Sequence, residues 1–170
     1  MTTLSWVPLA ISASGTIIAL SAFTYQVIRA RFDQSIDLLF RLENDFFGAA
    51  KMKQRSLAAT NYLRNNDDFK EMEDILDFFE TISMLTRKKA LRLYFVWHTF
   101  DYWIERYYAV AQPYIVKRQE KEPYVWKDFN WLVPRLKKLQ AKKYSSHLNP
   151  VELKRFMREE SEADGLKAKI

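Results

Sequence analysis

The sequence predicts an all-α protein in which an N-terminal transmembrane helix continues into a small helical bundle. The run Leu4–Ile28 contains no charged residue. The 170-residue chain has only three glycines and five prolines, too few turn residues for an all-β domain. After the run, apolar residues recur at helical spacing. The expected divisions are a transmembrane anchor at 1–28, a bundle at 29–143, and a short helix with a polar tail at 144–170.

The charge-free run is long enough to cross a bilayer as a helix. A hydrocarbon core about 30 Å thick needs roughly 20 apolar helical residues, and Pro8 suits the first turn of such a helix. A cleaved signal peptide would carry positive charge before a shorter apolar core, and Met1–Ser5 carries none. Arg29 and Arg31 follow the run directly, so the positive-inside rule places the N-terminus outside and the domain in the cytoplasm.

A stripe of small and hydroxyl residues runs along the predicted anchor. Its central members are Ser12, Gly15, Thr16 and Ala19. Such a stripe lets a second helix approach closely in lipid, and the partner would be another membrane protein or a second copy of the chain. The alternative is that the hydroxyl groups bond to carbonyls of their own helix. The sequence leaves these two interpretations open.

Three helices are predicted in the first part of the domain. Arg29–Phe47 continues the first helix without a breaker, and Gly48 marks a joint. Ala49–Leu63 forms a second helix, and Asn65–Asp68 offers a turn and an N-cap. Phe69–Thr86 is amphipathic, with acids in its first turns and cations just after its end, which suits the helix dipole.

Three more helices follow. Leu91–Tyr114 is rich in aromatic residues and should dominate the core, and Pro113 is expected to bend or end it. Tyr124–Lys143 follows, with a kink or restart expected at Pro134. Asn149 and Pro150 form a cap and first helical position for a short helix to about Ser161, and a polar tail follows it.

The sequence favours a non-enzymatic protein without a cofactor or a small-molecule substrate. It has no cysteine and too few glycines for a phosphate-binding loop. A metal site can be imagined from His98, Asp101 and Glu105 with Glu80 of the preceding helix. Di-iron bundles instead use Glu-x-x-His motifs that project inward. These three residues lie opposite the large aromatics of their helix, so a solvated face is expected.

The net charge of +6 falls within residues 117–170. Arg135–Lys143 carries five cations and no acid. The residues expected to bind an anionic surface are Lys127, Arg135, Lys138 and Lys142. Anionic lipid is one ligand and nucleic acid a less favoured one. The alternative is that these cations bind nothing and form a solvated helix face, next to an acidic face that contains Glu159, Glu160 and Glu162.

Three tyrosines, Tyr94, Tyr102 and Tyr108, lie off the main apolar face of their helix and are expected to offer a surface to a protein partner. Together these features predict a membrane-anchored, non-catalytic interaction protein or an accessory subunit of a membrane complex. The alternative function is a tethered binder of anionic lipid head groups or nucleic acid through residues 135–143.

The domain also resembles a known family. The matching stretches are ILDFFETISML at Ile75–Leu85, the aromatic run Leu93–Ile115, Arg118, and YVWKDFNWL at Tyr124–Leu132. They resemble a bacterial family of short proteins with one N-terminal transmembrane helix and a helical domain of unknown function. The resemblance covers more than half of the chain. It implies a prokaryotic, membrane-tethered protein with an all-α domain, and it transfers no activity and no catalytic residue.

Overall fold

The computed structural model describes residues 7–65, 69–140 and 148–167, with side chains from Gly15 onward except at 140 and 165–167. Within these ranges the chain forms six helices and no strand, which confirms the predicted all-α class. The helices are α1 Val7–Phe46, α2 Ala49–Leu63, α3 Lys70–Arg87, α4 Leu93–Gln119, α5 Lys127–Gln140 and α6 Pro150–Lys167.

Helix α1 has 40 residues, which corresponds to a length of about 60 Å. Only its C-terminal half joins the bundle. Every side chain from Gly15 to Gln26 is exposed. Contact begins near Phe32, whose ring meets the ring of Phe95 edge-on at 5.7 Å, and Phe46 at the other end is fully buried. The described side chains of residues 15–26 therefore stand clear of the other described helices.

Along the part of the chain that is described, no helix is both long enough and apolar enough to cross a membrane. The predicted transmembrane helix, Leu4–Ile28, is therefore not supported, and its residues 4–6 lie outside the described residues. Within the described part of the run, the polar side chains after Gly15 are Thr16, Ser21, Thr24 and Gln26, and Arg29 follows the run.

The core contains a cluster of aromatic rings from α1, α3, α4 and α5, together with buried aliphatic side chains. Phe46 packs against Phe79 at 5.6 Å and against Phe100 at 5.7 Å between ring centroids. Phe79 also stacks on Phe129 at 5.6 Å. Because each aromatic side chain buries about 150–250 Å², this cluster fixes how the four helices sit together.

Helix α6 completes the bundle by packing along α2, with Phe156 and Met157 buried. Its start is the predicted cap. The Glu152 amide donates to Asn149 Oδ1 at 2.9 Å, and the Asn149 amide donates to Glu152 Oε2 at 3.2 Å, which is a capping box. The helix continues to Lys167, beyond the end expected near Ser161, so part of the expected polar tail is helical.

Two further helix ends differ from the prediction by several residues. Helix α4 passes through Pro113 and ends at Gln119, because Tyr114 stacks on Phe69 at 4.2 Å and Ile115 is buried. Helix α5 begins at Lys127 rather than Tyr124, because Trp126 adopts a left-handed φ of 50°. The predicted cap of α3 at Asn65–Asp68 falls partly on residues 66–68, outside the described ranges.

Candidate functional site

The N-terminal half of α1 exposes a broad apolar surface, which we call the α1 apolar segment (residues 15–28). Its large side chains are 56–69% exposed, namely Ile17, Ile18, Leu20, Phe23, Tyr25 and Ile28. At 100° per residue these positions cover more than half of the helix circumference. Soluble monomers rarely expose apolar patches of more than a few hundred Å². The segment is therefore the foremost candidate for contact with another molecule.

The predicted small-residue stripe lies in this segment. Gly15, Thr16 and Ala19 are exposed, whereas the side chain of Ser12 lies outside the described ones. A Cβ placed on Gly15 would meet nothing within 4 Å. Two hydroxyl groups bond back to their own helix, because Ser21 Oγ donates to the Ile17 carbonyl and Thr24 Oγ1 to the Leu20 carbonyl, each at 2.8 Å. Both lie outside the stripe, so the stripe stays a prediction.

Helix α5 brings three of the four predicted anion-binding residues to one exposed face. Lys127, Arg135 and Lys138 share this face with Trp131, while Lys142 lies outside the described residues. The Arg135 guanidinium lies 4.1 Å from the Trp131 ring centroid, and its Nη1 donates to the Trp131 carbonyl at 2.7 Å. Lys127 Nζ lies 5.3 Å from the Tyr124 ring. A basic face with aromatic rings is compatible with phosphate binding.

The three predicted partner tyrosines of α4 have different neighbours. Tyr94 is 58% exposed and meets the His98 ring edge-on at 4.4 Å. Tyr102 is 42% exposed and meets Phe156 of α6 at 5.8 Å. Tyr108 is half-buried against Phe129 of α5 at 5.3 Å. At 100° per residue the three positions lie within an arc of about 120° of α4, and the partner surface stays a prediction.

The imagined metal cluster does not assemble. Among the described residues no group of three or more potential ligands lies close enough to hold a metal ion. His98 is exposed, but Glu105 is only 6% exposed, so the expected solvated face is wrong for Glu105. The reason is that α4 contacts helices on several sides, namely α1, α3, α5 and α6. Burial, together with the charge of Glu105, raises the pKa of Asp101 to about 6.

Glu80, the fourth imagined ligand, caps α5 instead. Its Oε1 accepts from the Asp128 amide at 3.0 Å and its Oε2 from the Phe129 amide at 2.6 Å. The first amides of a helix have no partner within it, so a carboxylate at this place satisfies two of them. Burial raises the pKa of Glu80, and the two amide bonds act against that rise. The side chain therefore has a structural task.

A buried ion pair that was not predicted from the sequence joins α2 and α6. Arg55 and Glu160 are 3% and 6% exposed. Arg55 Nε and Nη2 each donate to one Glu160 oxygen at 2.7 Å, and Tyr107 Oη donates to Glu160 Oε2 at 2.6 Å. The expectation that Glu160 belongs to a solvated acidic face is therefore wrong. The available signal was its position four residues after the buried Phe156, which places both on one side of α6.

The chemistry of this cluster suits structure rather than catalysis. Burial lowers the pKa of Arg55, but the hydrogen bond and charge of Glu160 outweigh it and raise the pKa above its ordinary value. Burial raises the pKa of Tyr107 well above its ordinary value. Both changes move titration further from neutral pH, so neither group is prepared to exchange protons there.

A groove of about 570 Å³ lies between the start of α3 and the end of α4, lined by Phe69, Pro113, Tyr114, Lys117, Arg118 and Lys121. Arg118 Nε lies 3.7 Å from Glu73 Oε1, and its Nη1 lies 3.1 Å from Glu122 Oε1. Tyr114 Oη also donates to Glu73 Oε1. The central cation of the groove is thus balanced by two carboxylates.

The comparisons with known proteins place the chain in a family but assign it no activity. No curated protein and no solved structure matches it. A family model described as a domain of unknown function, DUF4760, matches residues 9–136. The match begins in α1 and ends in α5, and it covers most of the chain. The chain belongs to the DUF4760 family.

Proposed function

We propose that this protein is a membrane-anchored, non-catalytic interaction protein whose helical domain serves a membrane complex as an accessory subunit. Its partner is another membrane protein or a second copy of the chain, and its place is the inner face of the bacterial inner membrane. The observation that carries the proposal is the α1 apolar segment, which projects from the bundle and continues the charge-free sequence that begins at Leu4.

The exposed apolar side chains of this segment are unfavourable in water and favour contact with an apolar environment. Fully burying one large apolar side chain is favourable by about 1.5–3 kcal/mol relative to leaving it exposed, and the segment exposes six of them. Lipid or an apolar partner helix supplies such a cover. Arg29 and Arg31, both exposed, follow at once, as expected where a helix leaves the apolar layer for the cytoplasm.

The non-catalytic part of the proposal is supported by the tasks of the described carboxylates. Glu80 caps α5, Glu160 holds Arg55 and Tyr107, and Asp77 Oδ1 accepts from the Trp126 indole at 2.8 Å. Each of these groups is committed to holding helices together, and none of these tasks requires a substrate.

Fractionation of cells that express the full chain tests the proposal. We expect the protein in the membrane fraction after a high-salt wash, and we expect the detergent-extracted particle to contain a second copy or a second protein by light scattering. Paired Ile18→Arg and Phe23→Arg should release it, whereas the matched Val151→Arg, at a 77% exposed position of α6, should not. A freely soluble full chain, or a lone monomer after extraction, would overturn the proposal.

A second candidate function is binding of an anionic ligand, lipid head groups or nucleic acid, by the α5 face. The supporting observation is that Lys127, Arg135 and Lys138 share an exposed face with Trp131. Arg135→Glu with Lys138→Glu should then weaken binding, and binding should fall steeply with salt. Lys154→Glu on α6 is the matched control. Binding that does not change with salt would eliminate this candidate.

A further inference from the structure

A second basic surface surrounds the point where α1 leaves the bundle. The turn between α3 and α4 lies against α1 there, because the Arg92 amide donates to Ser35 Oγ at 3.3 Å. Beside it is a shallow pocket of about 460 Å³, lined by Arg31, Gln34, Leu38, Lys88, Lys89 and Ala90. We call the four exposed cations of this region, Arg31, Lys88, Lys89 and Arg92, the basic collar.

The collar cations differ from two neighbouring arginines that form ion pairs. Arg29 lies 4.0 Å from Asp33, and Arg87 pairs with Asp128. No ion pair formed between described residues involves any of the four collar cations. The Arg92 guanidinium instead lies 4.7 Å from the Phe32 ring centroid. This contact leaves its donors able to bind an anion.

One collar residue occupies a backbone position that ordinarily favours glycine. Lys89 has a φ of 62°. Its amide donates to the Thr86 carbonyl at 3.0 Å, and the Ala90 amide donates to the Leu85 carbonyl at 2.9 Å. This is the Schellman pattern that ends many helices, in which the left-handed residue is usually glycine. A lysine here carries backbone strain that a glycine would avoid.

We propose that the basic collar binds the phosphate groups of anionic lipids at the surface of the membrane that holds α1. This inference rests on the proposed membrane attachment. Arg31 lies three residues beyond Ile28, which is about 4.5 Å along the helix axis. The head-group layer on each side of a bilayer is about 5–7 Å thick, so a bilayer that covers α1 as far as Ile28 brings lipid phosphates to the level of the collar.

The aromatic residue next to the collar fits the same partner. Tyr94 follows Arg92 by two residues and is 58% exposed. Tyrosine and tryptophan are enriched where membrane proteins cross the lipid–water boundary. Clustered cations beside a membrane-attached helix are the sequence pattern of anionic-lipid recognition. The four cations, the pocket between them and the tyrosine therefore point to one occupant, an anionic lipid head group.

Vesicle flotation tests this inference. The full-length protein in detergent is diluted into vesicles of phosphatidylcholine, or of phosphatidylcholine mixed with anionic phosphatidylglycerol. We expect partitioning to be at least about tenfold stronger into the anionic vesicles at low salt, because each cation near such a surface adds to the attraction. Lys88→Glu with Lys89→Glu should abolish this preference. Lys53→Glu with Lys154→Glu, which change the same charge at exposed positions of α2 and α6, should retain it.

A second variant keeps the test independent of folding defects. Lys88→Gln with Lys89→Gly relieves the backbone strain and removes two charges, so it should stay folded and lose most of the anionic preference. Equal partitioning of the wild type into both kinds of vesicle would overturn the inference and leave the membrane anchor intact. No flotation with either vesicle would instead overturn the proposed function. A preference lost in Arg135→Glu with Lys138→Glu, but kept in the collar variants, would assign lipid binding to α5.

Discussion

Arg55 and Glu160 lie 105 residues apart in the chain, yet both are buried and joined by two hydrogen bonds of 2.7 Å. Glu160→Gln would keep the shape of the side chain but leave the guanidinium without a counter-charge. Removing one partner of a buried pair costs about 3–5 kcal/mol. We expect a loss of that size in the free energy of unfolding, measured by urea denaturation followed by circular dichroism.

Glu159→Gln is the matched control for this prediction. Glu159 is the preceding residue, and its exposed carboxylate lies 3.8 Å from Arg155 one helical turn away. Surface pairs of this kind contribute about 0–1 kcal/mol, so this variant should unfold close to the wild type. If both variants lost the same free energy of unfolding, the buried ion pair would contribute no more to stability than the exposed one.

Asp101 gives a pH dependence of known sign. Its pKa is about 6 in the folded chain, against an ordinary value of 3.8, because of burial and then the nearby Glu105. Between these values the folded state holds a proton that the unfolded state has released, so this carboxyl makes stability fall as the pH rises through that window. Asp101→Asn should remove the effect and raise stability at neutral pH. The gain should be on the order of 1 kcal/mol, since solvent screens a partly exposed group.

Urea unfolding at several pH values through that window measures the effect. Asp37→Asn makes the same substitution at an exposed position of α1 and should leave the pH profile unchanged. If the free energies of unfolding of Asp101→Asn and the wild type change in parallel with pH, the pKa of Asp101 is not raised in the folded chain.

The residue scale also shows where sequence patterns stop being informative. Helical spacing identified Phe46, Phe79 and Phe100 as apolar contacts, because burial of such residues depends on their own helix. The pairing of Glu160 with Arg55 depends on how α6 meets α2, and the run of acids around Glu160 looks like any solvated helix face. Contacts between polar residues distant in sequence have no local signature.

At the scale of the helices, Pro113 offers a direct test of how packing overrides local preference. It lies inside α4, exposed, and has no amide to donate to the Ala109 carbonyl one turn earlier. Pro113→Ala restores that hydrogen bond and removes the steric conflict, at a cost of about 0.4–1 kcal/mol through the freer unfolded chain. Because a proline in a helix interior costs about 3 kcal/mol, we expect a net gain of about 2 kcal/mol in the free energy of unfolding, measured with urea.

Pro150→Ala is the control for the helix prediction. Pro150 is the first residue of α6, where the missing amide would have no helical partner in any case. This variant should show no gain. A gain of the same size at both positions would mean that the proline ring, rather than the interrupted hydrogen bond, sets the cost at Pro113.

Helix positions were largely predictable, and some helix ends were not. The observed α2 has the predicted bounds Ala49–Leu63, because Gly48 and the polar residues after Leu63 mark its ends locally. The end of α4 depends on Tyr114 stacking on Phe69, and the start of α5 depends on the left-handed Trp126. Tyr114 contacts the residue just before α3, and the Trp126 indole donates to Asp77 of α3 at 2.8 Å. The sequence of α4 or α5 alone does not encode such contacts.

At the scale of the whole molecule, the sequence distinguished the first part of α1 from the rest but did not determine what covers it. A charge-free run was expected to leave the bundle, and the side chains of residues 15–26 are indeed exposed. Hydropathy identifies a segment that is poorly solvated by water, yet a lipid layer and an apolar partner surface satisfy it equally well. For this reason the membrane anchor stays a proposal, tested by fractionation.

The exposure of residues 15–26 and the burial of α6 predict how the molecule responds when its chain is shortened at either end. Among the described side chains, a chain that begins at residue 29 loses only ones that are exposed or, at Val27, half-buried. It keeps Phe32 and the buried Leu39 and Phe46 of α1. Its urea midpoint should match that of the full chain within error, because little core is removed.

A chain that ends at residue 148 loses Phe156, Met157 and Glu160, all buried against the bundle. Since it leaves Arg55 buried without its counter-charge, this shorter chain should fail to unfold cooperatively. Loss of cooperative unfolding in the first truncation would show that residues 1–28 belong to the folded core.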